Sequence, residues 1–222
     1  MPAARSRPEV LAFLALLVMT AVWGSTFFLI KDVVTRIPVA DLLTIRFAIA
    51  SVALAVIAAP RLQLTRAVVG YGSLLGLLYG AAQILQTAGL AHTTASVSGF
   101  VTGLYVVATP LLTAVVLRRR VPPLTWLAAV LATIGLGVLA LHGFSIGFGE
   151  LLTLIAAVIY AGHIVALGRF STPETTLSLS LVQLSMITLV TAVAALWPTA
   201  GSAPGIQLPE SLHDWLVVLY LA

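Results

Sequence analysis

Long apolar runs, each closed by a short polar or proline-containing stretch, set the pattern of this 222-residue chain. Runs near 10–30, 40–59, 68–90, 96–117, 123–141, 149–168 and 177–197 carry almost no charge. Each approaches the ~20 residues a helix needs to cross ~30 Å of hydrocarbon. A membrane barrel would need a polar residue at every second position, and these runs lack that alternation. The pattern therefore predicts seven complete transmembrane helices. An eighth begins near Leu212 ("LHDWLVVLYLA") and meets Ala222 after about ten apolar residues, too few to cross. The sequence thus reads as cut off within an eighth helix. Pro38, Pro60, Pro122, Pro123, Pro173 and Pro198 lie in or beside the connections, where a missing N–H costs least.

Composition sharpens the class. The chain is 60% hydrophobic and 8% charged, with mean hydropathy +1.13, whereas soluble domains carry about 25% charged residues. The expected fold is an all-α polytopic membrane protein. The first apolar run is too long for a secretory signal and no A-x-A cleavage pattern follows it, so it reads as the first membrane helix. There is no cysteine, which excludes disulfides, thiolate metal sites and cysteine catalysis.

The sequence pI near 10.0 is explained by topology. With the N-terminus inside, Arg5, Arg7, Arg61, Arg66, Arg118, Arg119, Arg120 and Arg169 fall on the cytoplasmic side and only Lys31 and Arg36 on the outer one. Trp197 and Trp215 then mark the outer interface and Trp126 the inner one. "RRRVPP" reads as a cytoplasmic stop signal, and no nucleic-acid partner is expected. The expected partner is the lipid bilayer, and the expected location a bacterial inner membrane.

An internal repeat emerges at a displacement of 137 positions, which sets "LLVMTAVWGS" on "TLIAAVIYAG" and "LLTIRFAIAS" on "LSLVQLSMIT". Trp23 then matches Tyr160, and Arg46 matches Gln183. If the sixth helix repeats the first, the unit has five helices. An odd number of spans inverts the second copy, as in many carriers.

These residues resemble the EamA family of the drug/metabolite transporter superfamily. "WGSTFFLIKDVV…LLTIRFAIA" is similar to the first two helices of its first repeat, and residues 90–141, Pro110 included, to its third to fifth helices. "GELLTLIAAVIYAGHIVALGRF" is similar to the start of the second repeat, which "LVQL" and "WLVVLYLA" continue. The resemblance implies a 5+5 inverted-repeat transporter, with a first repeat at 1–141 and an incomplete second at 149–222. It implies export or import of small metabolites, amino acids and related compounds among them, and no cofactor. Many members carry a Gly-Glu pair after the fourth helix, where this chain reads "LRRRVPP".

Helical geometry selects candidate residues for the pathway. Gly72, Gly76, Tyr79, Gly80, Gln83 and Gln86 share a sector of roughly 120° on the third span. The Gly72–Gly76–Gly80 ridge permits close helix approach, and the two glutamines can bond a neighbouring helix or a substrate. Thr102, Tyr105 and Pro110 lie on the polar face of the fourth span, where Pro110 frees the Val106 carbonyl and is expected to kink the helix. Gly24, Ser25 and Thr26 interrupt the first span beside Trp23, permitting close packing or a loosened backbone. Tyr160 and His163 share a face of the sixth span, and a histidine there offers hydrogen bonding or a proton relay. Arg46 is the one charge well inside a span. At a helix centre it costs ~2.5–3.5 kcal/mol on insertion scales, so an ion pair with Asp41 or Asp32, as outer gate or structural tie, is expected ahead of the alternative, a direct anion site.

An enzyme is not expected. No acidic residue lies deep in a span, no His or Cys stands at metal-ligand spacing from His163, and no H-E-x-x-H occurs. A helical receptor or assembly subunit would bring a soluble domain or long loops, and a pore would show steady conductance. The expected activity is secondary transport by alternating access.

Overall fold

A computed structural model describes residues 7–116, 120–140, 146–196 and 205–222. Arg5, Arg118, Arg119 and Trp197 lie outside the described residues. The elements are helices throughout: α1 (Arg7–Val33), α2 (Val39–Ala58), α3 (Arg66–His92), α4 (Ala95–Gly103), α5 (Tyr105–Val116), α6 (Pro123–Ala140), α7 (Phe148–Phe170), α8 (Thr176–Leu196) and α9 (Leu212–Leu221). Among the described residues six stretches are long and apolar enough to cross a membrane, with Ala95–Val116 counting α4 and α5 as one. The apolar α6 (Pro123–Ala140) lies where the fifth span was expected, and Leu212–Leu221 is a shorter apolar helix. The chain is an all-α polytopic membrane protein.

Local chemistry marks the helix starts. The Thr65, Thr94 and Ser211 hydroxyls accept from the N–H groups of Val68, Val97 and Asp214, satisfying first-turn donors that have no partner inside the helix. Pro123 opens α6, where its missing N–H is one of those donors anyway. Pro110, expected to kink the fourth span, sits inside a continuous α5. The interruption falls at Leu104, whose N–H donates to the Val101 carbonyl at 3.1 Å in a tightened turn after Gly103. The Tyr105 carbonyl, one turn before Thr109, also accepts the Thr109 hydroxyl at 2.7 Å.

At the centre, α3 packs chiefly against α7 and α8, and α8 also packs against α2. The glycine ridge of α3 faces α8. A methyl group at Gly72 would lie 2.7 Å from Val182 Cβ, and one at Gly76 would lie 2.7 Å from Met186 Cβ and 2.9 Å from the Gln183 carbonyl. Small residues here let the two backbones meet, the main source of association once lipid replaces water. One apolar cluster joins α1, α2 and α9 through Phe27, Ile30, Val33, Leu42, Ile45, Val217 and Val218. Leu43 and Phe47 of α2 pack with Ile187 of α8. By contrast Leu11, Leu14, Leu16, Leu17, Val18 and Met19 of α1 remain exposed on the protein, as suits side chains solvated by acyl tails.

Candidate functional site

Aromatic side chains from α1, α3, α5 and α7 converge in one line of rings. Trp23 meets Tyr105 at 6.0 Å between centroids, Tyr105 meets Tyr160 at 6.4 Å, Tyr160 meets Tyr79 at 5.7 Å, and Tyr79 meets His163 at 5.2 Å. Helical spacing accounts for each contribution. Tyr79, Gln83 and Gln86 recur on one face of α3, as Tyr160 and His163 do on α7. Tyr105 reaches the group because the break at Leu104 starts α5 beside it.

Hydrogen bonds thread the same group. The Tyr160 hydroxyl donates to Gln86 Oε1 at 2.8 Å, and Gln86 Nε2 donates to the Thr102 hydroxyl at 2.9 Å. Gln83 Nε2 donates to the Tyr79 hydroxyl at 3.0 Å. His163 Nε2 bonds Gln183 Oε1 at 2.7 Å, and because that oxygen only accepts, the imidazole proton sits on Nε2. One atom is left over: Gln83 Oε1 is buried with no partner. An unmet buried polar group costs about 1–3 kcal/mol, so the site carries a standing demand for a donor.

Eight of the nine pathway residues expected from sequence thus meet in one place: Trp23, Tyr79, Gln83, Gln86, Thr102, Tyr105, Tyr160 and His163. Ser25 does not join them. Its hydroxyl contacts the Val22 carbonyl and the Tyr220 hydroxyl, tying α1 to α9. Thr26 likewise bonds back to the Trp23 carbonyl. The polar interruption of the first span therefore leaves α1 helical throughout, its hydroxyls satisfied along their own turn.

Arg46 departs from expectation in its partner. Its Nε donates to the Leu221 carbonyl of α9 at 2.6 Å, and the guanidinium lies 5.0 Å from the Phe47 ring centroid. The two carboxylates proposed for it are engaged elsewhere. Asp41 accepts from the Gln207 N–H, and Asp32 pairs with Arg36 at 2.7 Å. The carbonyls in the last turn of α9 lack an N–H donor from their own helix, so a cation near them is favoured. Arg46 also lines a small space of about 10 Å³ with Trp23, Phe27, Gln83, Gln86 and Thr87.

Where α1 and α3 end and α7 and α9 begin, charged residues make ties that sequence reasoning missed. Arg36 bridges Asp32 and Asp214, each at 2.7 Å, and these hydrogen bonds, Asp32 first, hold the Arg36 guanidinium above its already high range. Lys31 Nζ donates to the Leu90 and Ala91 carbonyls in the last turn of α3, each at 2.9 Å. The Thr93 hydroxyl donates to Glu150 Oε1 at 2.5 Å, and Gly89 packs on Gly149. The available signal was Glu150 three residues after Gly147, the placement of a first-turn carboxylate beside a helix cap. At the opposite end a groove of about 620 Å³ opens between α5 and α7, lined by Thr109, Leu112, Thr113, Gly162, Val165 and Arg169. Among the described residues no cluster of His, Asp and Glu could hold a metal ion.

Comparison with known proteins gives one match. The family described as the EamA-like transporter family matches residues 10–141. No curated protein and no solved structure matches the chain.

Proposed function

Since the chain belongs to the EamA-like transporter family of the drug/metabolite transporter superfamily, and is thus a membrane transporter, we propose that it is a secondary carrier of small metabolites working by alternating access. The observation that carries the reading is the buried polar and aromatic group of Tyr79, Gln83, Gln86, Thr102, Tyr105, Tyr160 and His163, enclosed by helices whose outer faces are apolar. Burying so many hydrogen-bonding groups inside a membrane protein is costly unless they serve a passage or a ligand.

The division into a first repeat at 1–141 and a partial second repeat at 149–222 belongs to the same proposal. Trp23 and Tyr160, matched by the internal repeat, both pack against Tyr105. Two halves sharing a central residue suit an inverted-repeat carrier, in which one half rocks against the other. The N-terminus lies in the cytoplasm in this reading, and amino acids and related compounds are the first substrates to try.

The test is counterflow in proteoliposomes loaded with a mixture of small metabolites. Saturable exchange above that of protein-free vesicles is expected, and Gln83→Leu should reduce it about tenfold while the variant inserts and unfolds like the unaltered protein. Steady conductance without exchange would replace the carrier by a pore, and unchanged counterflow in Gln83→Leu would remove this residue from the path.

A further inference from the structure

Two unmet demands of opposite sign face the small space beside Trp23. Arg46 donates one hydrogen bond, from Nε to the Leu221 carbonyl. Among the described residues no carboxylate pairs with it, since the ion pairs are those of Arg36 and of His213 with Asp32. Its two terminal nitrogens make no hydrogen bond there. Gln83, only 6% exposed, presents a buried Oε1 with no donor. Both residues line the same space, together with Gln86 and Trp23.

We infer that this space receives the end-group of a small organic acid that carries its own N–H or O–H donor beside the carboxylate. The inference rests on the carrier reading above and adds the substrate's chemical class to it. The guanidinium fork matches a carboxylate with two parallel hydrogen bonds, and the neighbouring donor fills the vacant acceptor at Gln83. An uncharged ligand would leave the half-buried guanidinium without a counter-charge, and an acid without a donor would leave Gln83 Oε1 as it stands. The space, about 10 Å³, suits at most one water molecule. A carboxylate is larger, so the walls must part to admit it. Trp23, 41% exposed, is the wall with room to move, and it offers its ring to the remainder of the ligand.

Equilibrium binding of radiolabelled L-lactate to the full chain in lipid nanodiscs tests this, because lactate is the simplest acid with an adjacent hydroxyl. Saturable binding is expected, with propionate, which lacks the donor, competing several-fold less well and L-lactamide, which lacks the charge, not competing. Arg46→Gln should weaken lactate binding on the order of 10- to 100-fold, and Arg46→Lys less, since it keeps the charge without the fork. Lactamide competing as well as lactate, or no saturable lactate binding, would overturn the inference. So would an Arg46→Gln protein that unfolds normally and binds lactate unchanged. Should Arg46→Gln fail to fold, the competition series in the unaltered protein decides by itself. Binding and counterflow separate the two readings. Lactate binding without any counterflow removes the carrier and keeps the acid site, whereas counterflow of neutral solutes that lactate never inhibits does the reverse.

Discussion

The two ends of the helix bundle are built differently. At the end where α1 and α3 finish, contacts cross between elements: Arg36 to Asp214, Lys31 to the α3 carbonyls, Thr93 to Glu150, and His92 against Phe148. At the end where α7 finishes, the links are mostly apolar: Val68, Leu75 and Leu179 pack with Leu167 and Val182, beside the Tyr71–Phe170 stack at 4.2 Å and the Gln63 N–H donating to Ser178. There the groove between α5 and α7 opens, beside α7 residues such as Gly162 and Gly168 whose added Cβ would meet nothing within 4 Å. One end is tied and the other parted, with the ring cluster between them. In an alternating-access carrier a single conformation has this asymmetry, and exchanging it between ends is the transport step. The ties should therefore be reversible and modest in strength, which fits charged and hydroxyl contacts better than a continuous apolar seam.

The largest expected effect comes from wedging the tied end. A methyl group at Gly89 would lie 2.5 Å from Thr153 Oγ1, 2.7 Å from the Gly149 carbonyl and 3.1 Å from the Thr153 N. Two of those neighbours are backbone, so α3 and α7 must separate. Gly89→Ala should cost about 1–3 kcal/mol, the range for overpacked sites. Gly162→Ala, on the groove side with open space around it, should cost nothing measurable. Thermal unfolding of both variants in one detergent checks the contrast. Equal losses would mean that the two ends do not differ in packing.

Untying without wedging should do less. Asp214→Asn removes the better buried partner of Arg36, whose side chain is 43% exposed while that of Asp214 is 7% exposed. Discounted for solvent screening, the pair is worth about 1 kcal/mol or less, a shift of up to roughly fivefold in a two-state equilibrium. The chain has no cysteine, so Ile30→Cys supplies one reporter without background, at a position lining the Arg46 space. Its labelling by an impermeant maleimide should rise a few-fold when Asp214→Asn is added. An unchanged labelling rate would show that the Arg36 bridge does not hold this end closed.

How much of this was legible in the sequence follows from what periodicity contains. A period of 3.6 residues assigns faces, so the glycine ridge of α3 and the alignment of Tyr79, Gln83 and Gln86 were readable before any partner was known. Faces do not say which helix they meet. Gly76 meets α8 through Met186, and Arg46 meets the α9 carbonyl of Leu221, a contact across 175 positions that no local pattern encodes. Proximity in sequence suggested Asp41 and Asp32 for Arg46. Tertiary packing gave Asp41 a backbone donor and Asp32 a nearer arginine. The break at Leu104 was hidden for a related reason: Pro110 is the strong kink signal, but a proline's lost bond can be absorbed in place while the chain turns elsewhere.

The smallest effect concerns acid at the parted end. Glu174, exposed in the connection from α7 to α8, is held below its ordinary value of 4.5, first by a hydrogen bond from Thr172 and then by its own backbone N–H. A carboxyl whose folded value is depressed binds its proton more weakly in the folded chain than in the unfolded one. Its contribution is therefore present above the unfolded value and fades as pH falls through the lower, folded one. Because the group is fully solvated, the effect on melting should be about 1 °C or less. Melting curves of the unaltered protein and Glu174→Gln should differ slightly at pH 6 and converge once the pH has fallen through the folded value. A difference that grew toward low pH would reverse the assigned sign. A large one at pH 6 would mean that the connection ties α7 to α8 strongly, and the contrast between the two ends would then rest on the groove alone.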